Sequence, residues 1–307
     1  MRTAYLLIIF VIAANNLFAQ KILPSKIKFG HVTLEDFAPK VYSIDSNAQA
    51  VVLFDKGSAN YVPDQTGWFN IEYVYHKKIR ILGKNQFDRA TVEIPLYKGN
   101  NHEDKVEKIE AVTYNMENNV IVSTKMDKES IFNDKASKNY SVKKFTLPNL
   151  KEGCIIEYTY TIISQNAYNL RNWIFQDKVP VLQSEYEITL PTLFDFIFLP
   201  SGYYELKPET EQGFKNFNIL NSNGAGKSEI GIYKATTNHV KWSLSNLKPM
   251  VKEKFTTTLQ NHISKIEFQL QSINYPESPP KPYMQTWSEL VKTLLKDEQF
   301  GADLSGK

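Results

Sequence analysis

The sequence predicts a mainly β protein, a β-sandwich with one short N-terminal helix and an amphipathic helix near the C-terminus. Three observations carry this. Along residues 155–163, Ile156, Tyr158, Tyr160 and Ile162 face one way while Glu157, Thr159 and Thr161 face the other. Period two over a full strand marks a sheet with one covered face. Many short apolar runs are separated by turn formers, which favours a sandwich over alternating α/β units. Tyr and Phe are abundant, 17 and 18 of 307 residues, and such rings suit a pleated, half-buried surface.

The chain opens with Arg2, an apolar run from Ala4 to Ala14, a break at Asn15-Asn16, and Leu17-Phe18-Ala19 before Gln20. This is the layout of a secretory signal peptide over residues 1–19, with export as the expected fate. The run is shorter than the roughly 20 apolar residues of a spanning helix. No later stretch is long and apolar enough either, so no membrane span is expected after cleavage.

The β region is expected over residues 20–274. Thr33-Leu34-Glu35-Asp36 places an acid three residues after a Thr and predicts a short capped helix. Residues 50–54 read as a buried strand, and residues 55–67, rich in turn formers, as a loop. Ile71, Tyr73 and Tyr75 begin a strand that runs through Ile79 to Leu82 and ends at Gly83-Lys84-Asn85. Residues 90–96 give another strand. Residues 109–114 and 120–123 flank Asn118-Asn119, a hairpin turn because Asn tolerates positive φ. Tyr186, Ile188 and Leu190 alternate before Pro191, the candidate point of subdivision. Residues 196–199, 214–220, 230–235, 240–244 and 266–270 add strands.

Residues 275–283 are Pro-rich and read as a stiff linker. Thr286-Trp287-Ser288-Glu289 is a capping box, and Trp287, Leu290, Val291, Leu294 and Leu295 share one helical face. Residues 284–307 therefore read as the beginning of a further domain.

The net charge of +3 is spread along the chain, without a basic block dense enough for nucleic acid. Cys154, the only cysteine, makes no disulfide within the chain. It enters an apolar strand at Gly153-Cys154-Ile155-Ile156 and reads as a small hydrophobe rather than a nucleophile. Gly224-Ala225-Gly226-Lys227-Ser228 ends like a phosphate loop, but Asn221 stands where the first Gly is needed. A strand follows instead of a helix, so a hairpin loop is expected. His31, His76, His102, His239 and His262 have no metal-ligand spacing, and no cofactor is expected. The mixed charges of residues 102–108 read as a solvated loop. Trp173 and Phe175, after Arg171-Asn172, are the candidate ligand contacts. They suit a sugar or peptide groove, though their apolar spacing also fits core packing.

FGHVTLED at residues 29–36 and DSNAQAVVL at 45–53 resemble the opening of the DUF3857 family. HKKIRIL at 76–82, LPNLKEGCIIEYTY at 147–160, WIFQ at 173–176, VPV at 179–181, SEY at 184–186 and the stretch 287–301 extend the resemblance. It implies an exported protein of the Gram-negative envelope, with periplasmic or envelope localisation. It implies an immunoglobulin-like β-sandwich with additional antiparallel strands, preceding a transglutaminase-like domain with a papain-type Cys-His-Asp triad. The chain stops at Lys307, where that domain is expected to start, and Cys154 does not match the triad cysteine. The resemblance therefore carries no catalytic residue into this chain. The expected function is a non-catalytic accessory module that positions a transglutaminase-like domain, in cis or in trans, or its substrate. The alternative is a stand-alone envelope protein that binds peptide or glycan.

Overall fold

Alternation along the central strands decides which side of the sheet is covered. In the computed structural model, which describes residues 28–38, 42–64, 68–99, 103–135, 137–223, 227–251, 258–274, 279–283 and 286–296, β1 (Ala50–Pro63), β2 (Phe69–Ile81) and β8 (Ile155–Ser164) form the middle of an eight-stranded sheet. β10 (Val181–Pro191), β13 (Lys227–Leu247) and β12 (Glu209–Asn223) extend it on one side, and β4 (Asp104–Glu117) and β5 (Val120–Lys125) on the other. All neighbours are antiparallel except β1 and β10, which run parallel from Val52↔Val181 to Asn60↔Thr189. A parallel pair needs a long crossover, and the strands between β1 and β10 supply it. Residues 1–19 lie outside the described residues. Every element named here lies within residues 32–296, in one compact unit.

Two smaller sheets cover one face of the large one. In the first, β14 (Lys265–Ile273) pairs β11 (Phe194–Ser201), β15 (Lys281–Pro282) and β9 (Trp173–Ile174). The second has the order β3 (Thr91–Tyr97), β7 (Tyr140–Thr146), β6 (Ile131–Lys135). Aromatic rings join the layers. Trp242 of β13 meets Phe198 edge-on at 5.2 Å, and Phe145 of β7 meets Tyr158 of β8 edge-on at 5.9 Å. Tyr61, Phe69, Phe194 and Phe217 form a further cluster. The architecture is mainly β and sandwich-like, as expected.

The short helix α1 (Leu34–Phe37) is capped as expected: the Asp36 carboxylate accepts from the Thr33 N–H at 2.8 Å and its hydroxyl at 3.2 Å. Asn118 and Asn119 have φ of 49° and 61° and turn the β4–β5 hairpin. Near Pro191 the chain passes from the large sheet to the small one. Phe194 then packs on Tyr61 and Phe69, so the core is continuous across this point. α2 (Trp287–Lys296) forms behind the Thr286–Glu289 box. Trp287 is 83 % exposed, and Leu290, Val291 and Leu295 are also exposed. No helix among the described residues is long and apolar enough to cross a membrane.

Four local expectations are corrected. Residues 55–63 are not loop but the second half of β1. Their turn-forming residues answer to neighbours across the sheet: Asp55 is 2.7 Å from Lys77, and a Cβ on Gly57 would lie 2.2 Å from the Trp173 ring. Residues 104–108 are not a solvated loop but the start of β4, with a register shift between Val106 and Lys108. The pairing of Asp104 with Arg171, far along the chain, draws this charged run into the sheet. The end of the 275–283 linker is strand, because Lys281 and Pro282 pair with Ile273 and Ser272; residues 275–278 lie outside the described residues. Finally, β8 is covered on both faces at its start. Glu157 is fully buried, 2.8 Å from His76 Nε2, and accepts from the Tyr114 hydroxyl at 3.1 Å. Hydrogen-bonding partners allow a carboxylate to be buried where an unpaired one would be expelled.

Candidate functional site

One row across the large sheet sets up the site. Tyr186, Gly57, Tyr75 and Tyr160 are successive Cα partners on β10, β1, β2 and β8. Side chains of paired residues share a face, so three tyrosines and a gap point toward the smaller sheets. Trp173 of β9 drops into that gap. Its ring stacks on Tyr186 at 4.9 Å and on Tyr75 at 5.8 Å, and its Nε1 donates to Ser184 Oγ at 3.2 Å. Tyr75 stacks in turn on Tyr160 at 4.7 Å.

Beyond Trp173 the two small sheets leave the large sheet uncovered, and a cleft of about 660 Å³ opens. Tyr75 and Tyr160 line it from the large sheet. Pro95, Tyr97 and Tyr140 line it from the three-stranded sheet, with Tyr97 and Tyr140 packed edge to face at 5.5 Å. The segment between β8 and β9 closes it with Asn166, Asn169, Arg171 and Asn172. That segment is pinned from below: Tyr61 OH donates to the Ala167 carbonyl at 2.7 Å, and Tyr73 OH donates to the Asn169 carbonyl at 3.2 Å.

Asp104 and Arg171 are the charged residues of this cleft. Arg171 Nη2 donates to Asp104 Oδ2 at 2.7 Å and to the Pro95 carbonyl at 2.8 Å, and its guanidinium lies 5.5 Å over the Tyr73 ring. The Tyr97 N–H donates to the same Asp104 oxygen at 3.0 Å. Burial works against the Arg171 cation, but the hydrogen-bonded Asp104 carboxylate favours it, and its pKa is held above the ordinary arginine value. Burial pushes the Tyr75 and Tyr160 phenols up. The rings therefore stay neutral and act as apolar faces with hydroxyl tips.

The cleft continues past Tyr75, Tyr160 and Asn172 into a depression shared with Asp55, Lys77 and Trp173. Asp55, Lys77 and Ile174 in turn line the next depression, with Arg89 and Asp177. The three make one groove. Its far end is an ion-pair chain: Lys77 lies 2.7 Å from Asp55 and 3.0 Å from Asp177, and Arg89 Nη1 is 2.9 Å from Asp177 Oδ1. Burial raises the Asp177 pKa, but Lys77 and Arg89 outweigh it and draw it down to about 2.

The candidate contacts Trp173 and Phe175 lie in the core rather than on a groove surface. Trp173 is 4 % exposed, and Phe175 is buried in the same hydrophobic core. Trp173 borders the groove only at the depression shared with Lys77. The missed lining residues are Tyr75, Tyr97, Tyr140 and Tyr160 with Asp104 and Arg171. The alternating tyrosines of β8 were a signal, but period two does not distinguish a covered ring from one in a gap between layers. Cys154 is buried, and burial pushes its thiol pKa up, the opposite of an activated thiolate. His76 belongs to the Glu157 cluster and His239 lies beside Thr189; His102 is outside the described residues. Among the described residues no group of three or more His, Cys, Asp or Glu could hold a metal. The strands around 224–226 pair to Asn223↔Lys227, a hairpin whose tip lies outside the described residues.

The domain of unknown function DUF3857 matches residues 70–251. No curated protein sequence matches the chain. Among solved structures, a candidate protease from Parabacteroides distasonis superposes with a TM-score of 0.51 at 16% identity, over 73% of this chain and 41% of that one. The chain thus spans about two fifths of that protein's length, and the likeness is one of fold. Yeast LTA4 hydrolase in complex with bestatin also aligns, with a TM-score of 0.25 and 8% identity, over 63% of this chain and 28% of that one.

Proposed function

The chain belongs to the DUF3857 family, and from that premise we propose that it is the non-catalytic binding module of an exported protein of protease type. The module holds an extended ligand, peptide or glycan, in the groove between the small sheets. It presents that ligand to a transglutaminase-like domain in cis or in trans. The observation that carries this reading is the groove itself. Its floor and walls come from three sheets, and it is lined by neutral rings, amides and internally paired charges. Such a surface binds and orients, and its buried charges are already spent on one another. The exposed apolar face of α2 supports a docked neighbour. The Arg2–Ala19 segment supports export to the periplasm or envelope.

A photoreactive amino acid at exposed Asn172, in the full chain produced in a Gram-negative cell, tests this. The expected result is an adduct with a protease-type polypeptide or its substrate. A control probe at Val122 on the edge strand β5 should give none. Adducts with glycan or peptide alone would favour the stand-alone binder. Equal labelling from Asn172 and Val122 would remove the groove from the account.

A further inference from the structure

We propose that the tyrosine end of the groove is a binding site for a neutral oligosaccharide. This rests on the groove being a ligand site, and it names the ligand's chemistry.

Charge comes first. The cleft's carboxylate and guanidinium are 2.7 Å apart, and Asp104 keeps only 5 % of its side chain exposed. Asp104 also takes the Tyr97 N–H, and Arg171 also reaches the Pro95 carbonyl. An anionic ligand approaching Arg171 meets Asp104 behind it, and a cationic ligand meets the reverse. With neither charge on offer, the cleft selects for a ligand that has none.

The rings come second. Tyr97 and Tyr140 present ring surface to the cleft, whereas the faces of Tyr75 and Tyr160 are taken up by stacking with Trp173, with each other and with Tyr158, so these two offer edges and hydroxyl tips. The face of an aromatic ring carries the negative lobe of its quadrupole, which attracts the polarised C–H bonds on one side of a pyranose. The equatorial hydroxyls of such a sugar then point sideways, toward exposed Asn169 and Asn172. An amide offers two donors and an acceptor, which suits hydroxyls that both give and accept. The volume of about 660 Å³ lies in the range of small-ligand pockets, roughly 300–1,000 Å³.

Third, the cleft is closed to the commonest peptide mode. An extended peptide adds to a free strand edge through its backbone. β3 is an edge strand of the three-stranded sheet and lines the cleft. Yet at the cleft its free-side donors are gone. Pro95 has no N–H, its carbonyl accepts from Arg171, and the Tyr97 N–H goes to Asp104. Tyr75 and Tyr160 stand on central strands whose backbone groups are paired within the sheet. What remains for a ligand is the Tyr97 and Tyr140 rings and side-chain amides, the surface a sugar uses.

The test is titration calorimetry of the full chain against four probes: chitotriose, cellotriose, a sialylated trisaccharide and an unstructured alanine-rich peptide. Each is repeated with Tyr140→Ala and with Tyr203→Ala. Tyr140 is half exposed at the rim, and Tyr203 is exposed away from the cleft, so both variants should keep the fold, checked by Tm. The expected result is binding of at least one neutral trisaccharide, weakened tenfold or more by Tyr140→Ala and unchanged by Tyr203→Ala. The sialylated probe should bind more weakly. Peptide binding that Tyr140→Ala abolishes, without any sugar binding, would overturn the saccharide assignment and leave the groove as a ligand site. Tyr140→Ala matching wild type with a bound sugar would overturn the assignment too. No binding of any probe would overturn the saccharide assignment, whereas the photocrosslink at Asn172 bears separately on the groove.

Discussion

Replacing Gly57 by Ala isolates the packing that places Trp173 and, through it, the groove floor. The added Cβ would lie 2.2 Å from Trp173 Cζ3, 2.7 Å from Cη2 and 2.8 Å from Cε3. The indole has little room to retreat. Tyr186 stacks on it at 4.9 Å, Tyr75 at 5.8 Å, and Ser184 holds its Nε1. In a strand with no such neighbour, Ala in place of Gly would stabilise the fold by roughly 0.5–1 kcal/mol through lost backbone entropy in the unfolded state. Overpacking a filled core costs about 1–3 kcal/mol and offsets that gain. The net expectation is a destabilisation of about 1–2 kcal/mol. At roughly 2–4 °C per kcal/mol for a chain of this size, Tm should fall by several degrees. Urea unfolding followed by far-UV circular dichroism measures it. The double variant Gly57→Ala/Trp173→Leu completes a cycle, because Leu removes the ring the methyl would strike. In the Trp173→Leu background, Gly57→Ala should cost nothing or stabilise. A single variant as stable as wild type, or an equal penalty in both backgrounds, refutes the argument that Gly57 exists to admit Trp173.

The remaining predictions concern the charges and the thiol. Asp177 has a folded pKa of about 2, below its unfolded value near 3.9. Its contribution is therefore present above about pH 4 and lost as pH falls toward 2, and it amounts to at most about 3 kcal/mol before solvent screening. Asp177→Asn should flatten the acid limb of a Tm-against-pH curve over that window, and an unchanged limb would count against the ion-pair chain. Arg171→Ala leaves the Asp104 carboxylate buried without its cation and should cost about 3 kcal/mol in chemical denaturation, whereas Arg171→Met/Asp104→Leu should recover most of that. If the double variant is no better than the single one, the Asp104 charge is not the cause. Cys154 should resist a thiol reagent until the protein unfolds; stoichiometric labelling of the native chain would contradict its place in the core.

Legibility follows distance along the chain. The hairpin at Asn118-Asn119 and the boxes at Thr33–Asp36 and Thr286–Glu289 are settled by residues within three positions, and the sequence displays them directly. The strand at 155–163 is visible because its period is local, and its one misread residue, Glu157, depends on His76 and Tyr114 on two other strands. The stretch 55–63 looked like loop because Asp, Lys, Gly, Ser and Asn dominate it. Three of them serve a partner on another element: Asp55 for Lys77, Lys56 for Glu185, Gly57 for Trp173. Trp173 and Phe175 read from the sequence as ligand contacts or as core, and both are buried in the core; which rings stay uncovered depends on how far each small sheet reaches.

By itself the sequence determined the β class, the order and spacing of most strands, the two capped helices and the membership of the DUF3857 family. These rest on period, cap and motif, all read over short windows. The tertiary structure decided the parallel pairing of β1 with β10, the layering of three sheets and the groove between the smaller two. It also decided the Asp104–Arg171 pair, 67 positions apart, and the seating of Trp173 over Gly57, more than a hundred positions away. The physical reason is that a strand's pattern says which face it buries and not what will cover that face. Covering is a contact between distant residues, and only the folded chain brings those residues together.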